Sequence, residues 1–163
     1  MKTLLLMRHA KSSWDDPSVQ DFDRPLNPRG NRDAPRMGQF LLQQDMSPDR
    51  VVTSTAVRAQ ATARFVAAEC QLEHHITVVS DLYHAGVDDW QETVQSLSPE
   101  WNCVLCIGHN PGLEEFIGTL SSQYVRMPTA AIAHLTSRVD DWGDFADGTG
   151  VELQQVWRPK ELA

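Results

Sequence analysis

The sequence has no long apolar run. Its greasy stretches, such as Leu4 to Met7 and Cys103 to Ile107, are strand-sized, well short of the roughly 18 residues that span a bilayer. No membrane association is expected. The N-terminus lacks the basic segment, extended apolar stretch and small-residue cleavage site of a secretory leader, so the expected address is cytoplasmic. Positive charge is scarce as well. Fourteen Lys and Arg stand against 22 Asp and Glu, for a net charge of −8. Phosphate-backbone neutralisation would need a basic face, so nucleic acid is not an expected partner. A small, locally basic pocket is compatible with the same balance.

Paired cysteines are missing too. The chain has three, an odd number that fits a reducing compartment. Cys103 and Cys106 have CxxC spacing, but they lie in "CVLCI", which reads as a strand. Residues three apart on a strand point to opposite faces, so core positions are expected for both, not a redox or zinc pair. No Asp, Glu or His cluster has metal-ligand spacing and no P-loop glycine pattern occurs, so neither a metal nor a cofactor is expected. Internal repeats and low-complexity segments are absent.

What is present is alternation. Strands are expected at 2–8, 50–54, 76–80, 103–108, 130–135 and 151–157, the last near a sheet edge. Helices are expected at 55–71, with Val57, Ala61, Phe65 and Ala68 inward, at 87–97, with Val87, Trp90, Val94 and Leu97 inward, and at 112–121. A further helix lies between Leu26 and Met46. It starts either at an Asp33 cap, with Pro35 in its first turn, or near Pro28 with a kink at Pro35. Strands alternating with helices imply a mostly parallel α/β sheet covered on both faces. At 163 residues, one domain (1–163) is expected, burying about 70% of its unfolded surface. The stretch from Lys11 to Pro25 has no period, and a loop of that length in a compact domain is usually functional.

Three strand ends carry the chemistry. The first delivers Arg8 and His9. The second ends at Ser54, with Arg58 just beyond in "TSTAVRAQATA". The fourth releases His109 in "IGHNPGL". In a parallel sheet these residues meet at one edge, where α/β folds bind ligands. Two guanidiniums in one pocket repel unless an anion joins them, and Arg is suited to phosphate oxygens. A metal-free phosphate site is the economical reading.

The same residues carry a family resemblance. "LLLMRHAKSSWD" resembles the RHG-x-S-x-W-N signature of the histidine phosphatase superfamily. "PLNPRGNRDA" is similar to its L-T-x-x-G-x-x-Q-A segment, "TSTAVRAQATA" to its T-S-x-L-x-R-A-x-x-T-A segment, and "IGHNPGL" to its second histidine motif. The four occur in family order across roughly residues 2–135. The short chain, with "RPL" after an acidic loop, is most similar to the SixA-type phosphohistidine phosphatases. The resemblance implies a single-domain three-layer α/β/α sandwich of the phosphoglycerate mutase type. It implies His9 as the nucleophile, forming a phosphohistidine intermediate, and Arg8, Arg58 and His109 as catalytic residues that bind the phosphoryl oxygens. Ser12 is a further substrate-binding candidate.

Three departures stand out. Ala10 replaces the motif glycine, and Asp15 stands in place of Asn. The glutamate that serves larger members as general acid is missing from "LYHAGVDDW". Asp21, Asp23 and His84 are the candidate replacements. A general acid contributes about 10²–10⁴-fold by protonating a leaving group, and imidazole leaves more readily than an alkoxide. The missing glutamate therefore fits a phosphoramidate substrate. The expected activity is that of a monomeric, metal-independent phosphatase acting on a histidine-phosphorylated carrier or phosphotransfer domain. A phosphomonoesterase taking a small phosphate ester, and an inactive phosphohistidine-binding module, are the alternatives.

Overall fold

The computed structural model describes residues 1–162. Six strands form one sheet: β1 (Lys2–Arg8), β2 (Arg50–Ser54), β3 (Ile76–Val79), β4 (Cys103–Gly108), β5 (Ile132–Ser137) and β6 (Glu152–Trp157). Their order across the sheet is β3-β2-β4-β1-β5-β6. The first four strands run parallel, with Arg8 opposite Gly108 and Thr53 opposite Ile107. β5 pairs antiparallel with β1, and β6 with β5, so the sheet is mixed but mostly parallel. The three strands expected to carry chemistry are neighbours at its centre.

Among the described residues five helices cover it: α1 (Pro28–Gln43), α2 (Val57–Glu69), α3 (Val87–Gln95), α4 (Gly112–Ser121) and the short α5 (Trp142–Ala146). Strand alternation sorts the core into two layers. Leu5, Met7, Leu105 and Ile107 pack under α1 and α2 with Met37, Leu41 and Val66. Leu4, Leu6, Val104 and Cys106 pack against Trp90 of α3, Phe116 of α4 and Phe145 of α5. Cys106 and Cys103 fall on opposite faces as expected, and burial pushes both thiols up to about 12. Among the described residues no helix is long and apolar enough to cross a membrane.

α1 begins at Pro28, the second of the two expected starts. Asn27 caps it by accepting the Gly30 N–H at 2.9 Å, and Pro28 needs no donor at the first position. Pro35 then lies inside the helix.

The inward face of α2 differs from the expected one. Ala59, Thr62, Ala63, Val66 and Ala67 are buried, whereas Phe65 is 37% exposed. The reason is the approach of α1: a Cβ on Gly38 would lie 3.0 Å from Val66 Cα. Helices that close require small side chains between them, and Phe65 is turned outward. β5 also begins two residues later than expected, after a left-handed turn at Ala130 (φ 65°). α5 was not anticipated, because its five residues are too short to show a period.

Candidate functional site

β1 ends under tight backbone control. The His9 N–H donates to Gly108 O at 3.1 Å, and the Ala130 N–H donates to both Arg8 O (3.0 Å) and His9 O (3.1 Å). The Ala10 N–H donates to Thr62 Oγ1 (3.0 Å), whose hydroxyl donates to Arg58 O (2.8 Å). Ala10 itself is fully buried in the α1/α2 core layer. The methyl group that departs from the motif glycine thus fills core space, and the strand end is locked to α2.

These anchors set the imidazoles. His9 Nδ1–H donates to Ala10 O at 2.7 Å, leaving Nε2 unprotonated, and Nε2 accepts the Arg58 Nε–H at 3.3 Å. The His109 ring centroid lies 5.0 Å from that of His9. His109 Nε2 is 2.8 Å from Ser54 Oγ, which already accepts the Ala56 N–H at 3.2 Å. The Ser54 hydroxyl has no other acceptor among the described residues, so its proton goes to Nε2, which puts the His109 proton on Nδ1. That Nδ1 is buried without a partner, as is Arg8 Nε. Buried donors without partners are rare, and Arg8 and His109 line the same cavity.

Both histidines are pushed toward neutrality. Burial, with the charge of His109, Arg58 and Arg8 behind it, lowers His9 to about 3 against the opposing Ala10 hydrogen bond. Burial and then Arg58 lower His109 to about 4, with Asp21 opposing. The two rings and two guanidiniums therefore form an anion pocket whose cationic charge resides on Arg8 and Arg58.

The cavity they enclose is about 220 Å³, and Ser12, Arg24 and Asn110 also line it. It shares Arg58, His109 and Asn110 with an adjoining hollow of about 470 Å³ reaching His84 and Glu115. Ser12 is buried and accepts a hydrogen bond from Arg24. The unpatterned loop is closed at its neck: the Ser13 N–H donates to Pro25 O at 2.8 Å, and the Asn27 N–H to Lys11 O at 3.0 Å. The Arg24 guanidinium lies over the Trp14 ring, 3.6 Å from its centre.

The candidate acids separate. Asp21 enters the site, where its backbone carbonyl accepts Arg58 Nη1 at 2.6 Å and its Oδ2 accepts both Arg58 Nη2 (3.1 Å) and the Tyr83 hydroxyl (2.7 Å). Desolvation raises its pKa, but the Tyr83 hydrogen bond and the Arg58 and Arg24 guanidiniums outweigh this and hold the carboxyl down to about 2. A carboxyl kept ionised has no proton to give, so the geometry makes Asp21 an anchor for Arg58. Asp23 is exposed on a 3-10 turn. His84 is exposed, in the left-handed region (φ 57°), with its ring 3.9 Å from that of Tyr83. Sequence reasoning missed the parts of Arg24, Ser54, Tyr83 and Asn110. Each stood in a stretch already singled out: Arg24 in "RPL", Ser54 at the end of its strand, Tyr83 in "LYHAGVDDW" and Asn110 directly after His109.

The pattern of the histidine phosphatase superfamily (branch 1) matches residues 4–103. An uncharacterized chloroplastic protein of Arabidopsis thaliana is 31% identical over 86% of this chain and 69% of its own. An uncharacterized protein of Mycobacterium tuberculosis is 33% identical over 87% of this chain and 93% of its own. A Nakamurella multipartitia structure assigned as the phosphohistidine phosphatase SixA superposes with a TM-score of 0.84 at 30% identity, over 97% of this chain and 96% of its own. The protein histidine phosphatase SixA complexed with tungstate gives 0.84 at 24% identity over 99% of both chains, a likeness of fold. With the match covering more than half the sequence and these relatives covering most of the rest, the chain belongs to branch 1 of the histidine phosphatase superfamily and has its phosphoglycerate mutase-like fold.

Proposed function

We propose that the protein is a phosphatase working through a phosphohistidine on His9, and that its substrate is phosphohistidine carried by another protein. The observation that carries this reading is the conjunction of an unprotonated His9 Nε2 with unpartnered donors at Arg8 Nε and His109 Nδ1 around one small cavity. In the free site the Arg58 Nε–H caps the His9 lone pair. A phosphoryl oxygen is the stronger acceptor. It draws the guanidinium away and exposes Nε2 for in-line attack. The substrate's P–N bond breaks as the His9 N–P bond forms, and the departing imidazole takes its proton from water. A water then attacks the phosphohistidine, releasing inorganic phosphate and regenerating His9. Arg8, Arg58 and His109 stabilise the equatorial oxygens throughout, the kind of preorganised donation that dominates such barriers.

The substrate class rests on the leaving group. Asp21 is ionised and Asp23 lies outside the pocket, so of the three candidates only the exposed His84, at the adjoining hollow, is left to supply the proton an alkoxide would need. An imidazole leaving group removes that demand. The test is to incubate the protein with labelled phosphohistidine proteins and, in parallel, with small phosphate esters. Loss of label from the proteins, with a transient base-stable label on His9, is the expected result. Turnover confined to the esters would make it a small-molecule phosphomonoesterase, and binding without release would make it a recognition module.

A further inference from the structure

A third hollow opens beside the anion pocket and shares two of its walls. About 480 Å³ in volume, it is lined by Arg8, Asn110, Glu114, Arg126, Met127, Pro128 and Arg158, of which Arg8 and Asn110 also line the pocket around His9. Three guanidiniums surround this hollow in a chain with 22 acidic and 14 basic residues.

The one lining carboxylate is already engaged. Glu114 accepts the Met127 N–H through Oε2 at 2.6 Å and sits close enough to Arg8 to support its charge. Arg8 Nη1 donates to Met127 O at 3.3 Å, so this segment is held between Arg8 and Glu114. Arg158 extends over the same segment, donating Nη2 to Arg126 O at 3.0 Å, with its Nη1 3.6 Å from an exposed Glu161. An ion pair that exposed is heavily screened. Arg126 is exposed, and no ion pair holds its guanidinium among the described residues. Asn110 donates Nδ2 to Met127 O at 2.9 Å, and its Oδ1 is buried without a partner.

We infer that this hollow is a second anion subsite, which receives a carboxylate borne on the same molecule as the phosphoryl group. The phosphoryl group occupies the pocket between Arg8, Arg58 and the two histidines, and the carboxylate meets Arg126 and Arg158 on the far side of Arg8. Repulsion among the three guanidiniums falls when an anion lies between them, and forked guanidinium–carboxylate pairing fixes the distance between the two groups. Resting on the phosphohistidine phosphatase reading, the inference specifies the substrate further: the phosphohistidine is flanked by an acidic side chain on its own protein.

Calorimetry tests the subsite without turnover. The intact protein is titrated with methylphosphonate and then with phosphonoacetate, 3-phosphonopropionate and 4-phosphonobutyrate. At one chain length the added carboxylate should tighten binding about tenfold, the worth of one charge-assisted hydrogen bond. Arg126→Gln and Arg158→Gln should each cut that gain to below about threefold while leaving methylphosphonate affinity as it was. A carboxylate that adds nothing at any length, or a gain that survives both substitutions, overturns the subsite but leaves the phosphatase reading standing. Failure of the whole series to bind overturns both. A second arm uses phosphohistidine peptides with Asp or Asn beside the modified residue. Faster hydrolysis of the Asp peptide, lost in Arg126→Gln, supports the inference. Equal rates, with the carboxylate gain seen in calorimetry, would assign the subsite to a small phosphorylated acid and overturn its protein-substrate form.

Discussion

Arg58 Nε stands 3.3 Å from His9 Nε2, and the two side chains share a pocket in which each residue is only 5% exposed. A guanidinium donating into an imidazole lone pair is possible only while that nitrogen is unprotonated. The contact keeps His9 in its nucleophilic form and holds Arg58 where an incoming phosphoryl oxygen can claim it. His9→Ala is therefore expected to abolish turnover and phosphoryl-enzyme labelling while circular dichroism shows the fold retained. Wild-type rates in that variant would remove His9 from the mechanism.

Arg58→Lys tests the same contact from the other side. Lysine keeps the charge but has no Nε–H fork to reach His9 Nε2 and Asp21 together. The expected loss is on the order of 10²-fold in kcat/KM, the scale seen for removing one preorganised donor. Steady-state kinetics check it, and near-wild-type activity would show that charge alone suffices.

Asp21→Asn distinguishes an anchor from an acid. Because Asp21 holds Arg58 and accepts from Tyr83, the substitution should cost less than about 10²-fold, and equally for good and poor leaving groups. A loss that grows with leaving-group pKa would identify Asp21 as the general acid after all. Replacing Asp23 or His84 should change phosphohistidine turnover little.

The histidine pair sets a pH dependence. Folded values of about 3 for His9 and about 4 for His109 lie below the ordinary 6.5. As pH falls below 6.5 the unfolded chain takes up these protons first. The stability that both groups contribute is thus fully present above pH 6.5 and drains away as pH falls toward their folded values. The imidazole resonances of His9 and His109 should not titrate between pH 5 and 8 in the free protein, which NMR can follow directly. An inflection near 6.5 at either ring would contradict the buried, neutral pair.

Gly30 predicts a packing effect with a functional readout. A Cβ there would fall 2.1 Å from Lys11 O, at the neck of the loop that carries Ser12, Trp14 and Asp21. Gly30→Ala should destabilise the protein by about 1–3 kcal/mol, the usual cost of overpacking, and lower activity by displacing that loop. Denaturant unfolding with a parallel rate measurement would show both, and an unchanged protein would mean that the neck has room.

The sequence by itself determined the alternation of strands and helices, the inward residues of α3, and the convergence of Arg8, His9, Arg58 and His109. Each of these depends on local periodicity or on the direction in which a parallel strand points its C-terminal end, and both are written in residue order. What tertiary structure decided was everything that depends on approach. The inward face of α2 is set by how closely Gly38 lets α1 come, a distance no helical period encodes. Asp21 is an ionised anchor because Tyr83 and Arg58, from two remote segments, join its loop neighbour Arg24 around it. The proton on His109 is placed by Ser54, 55 residues away. Hydrogen-bond partners and desolvation come from neighbours in space, and the chain's order does not name them.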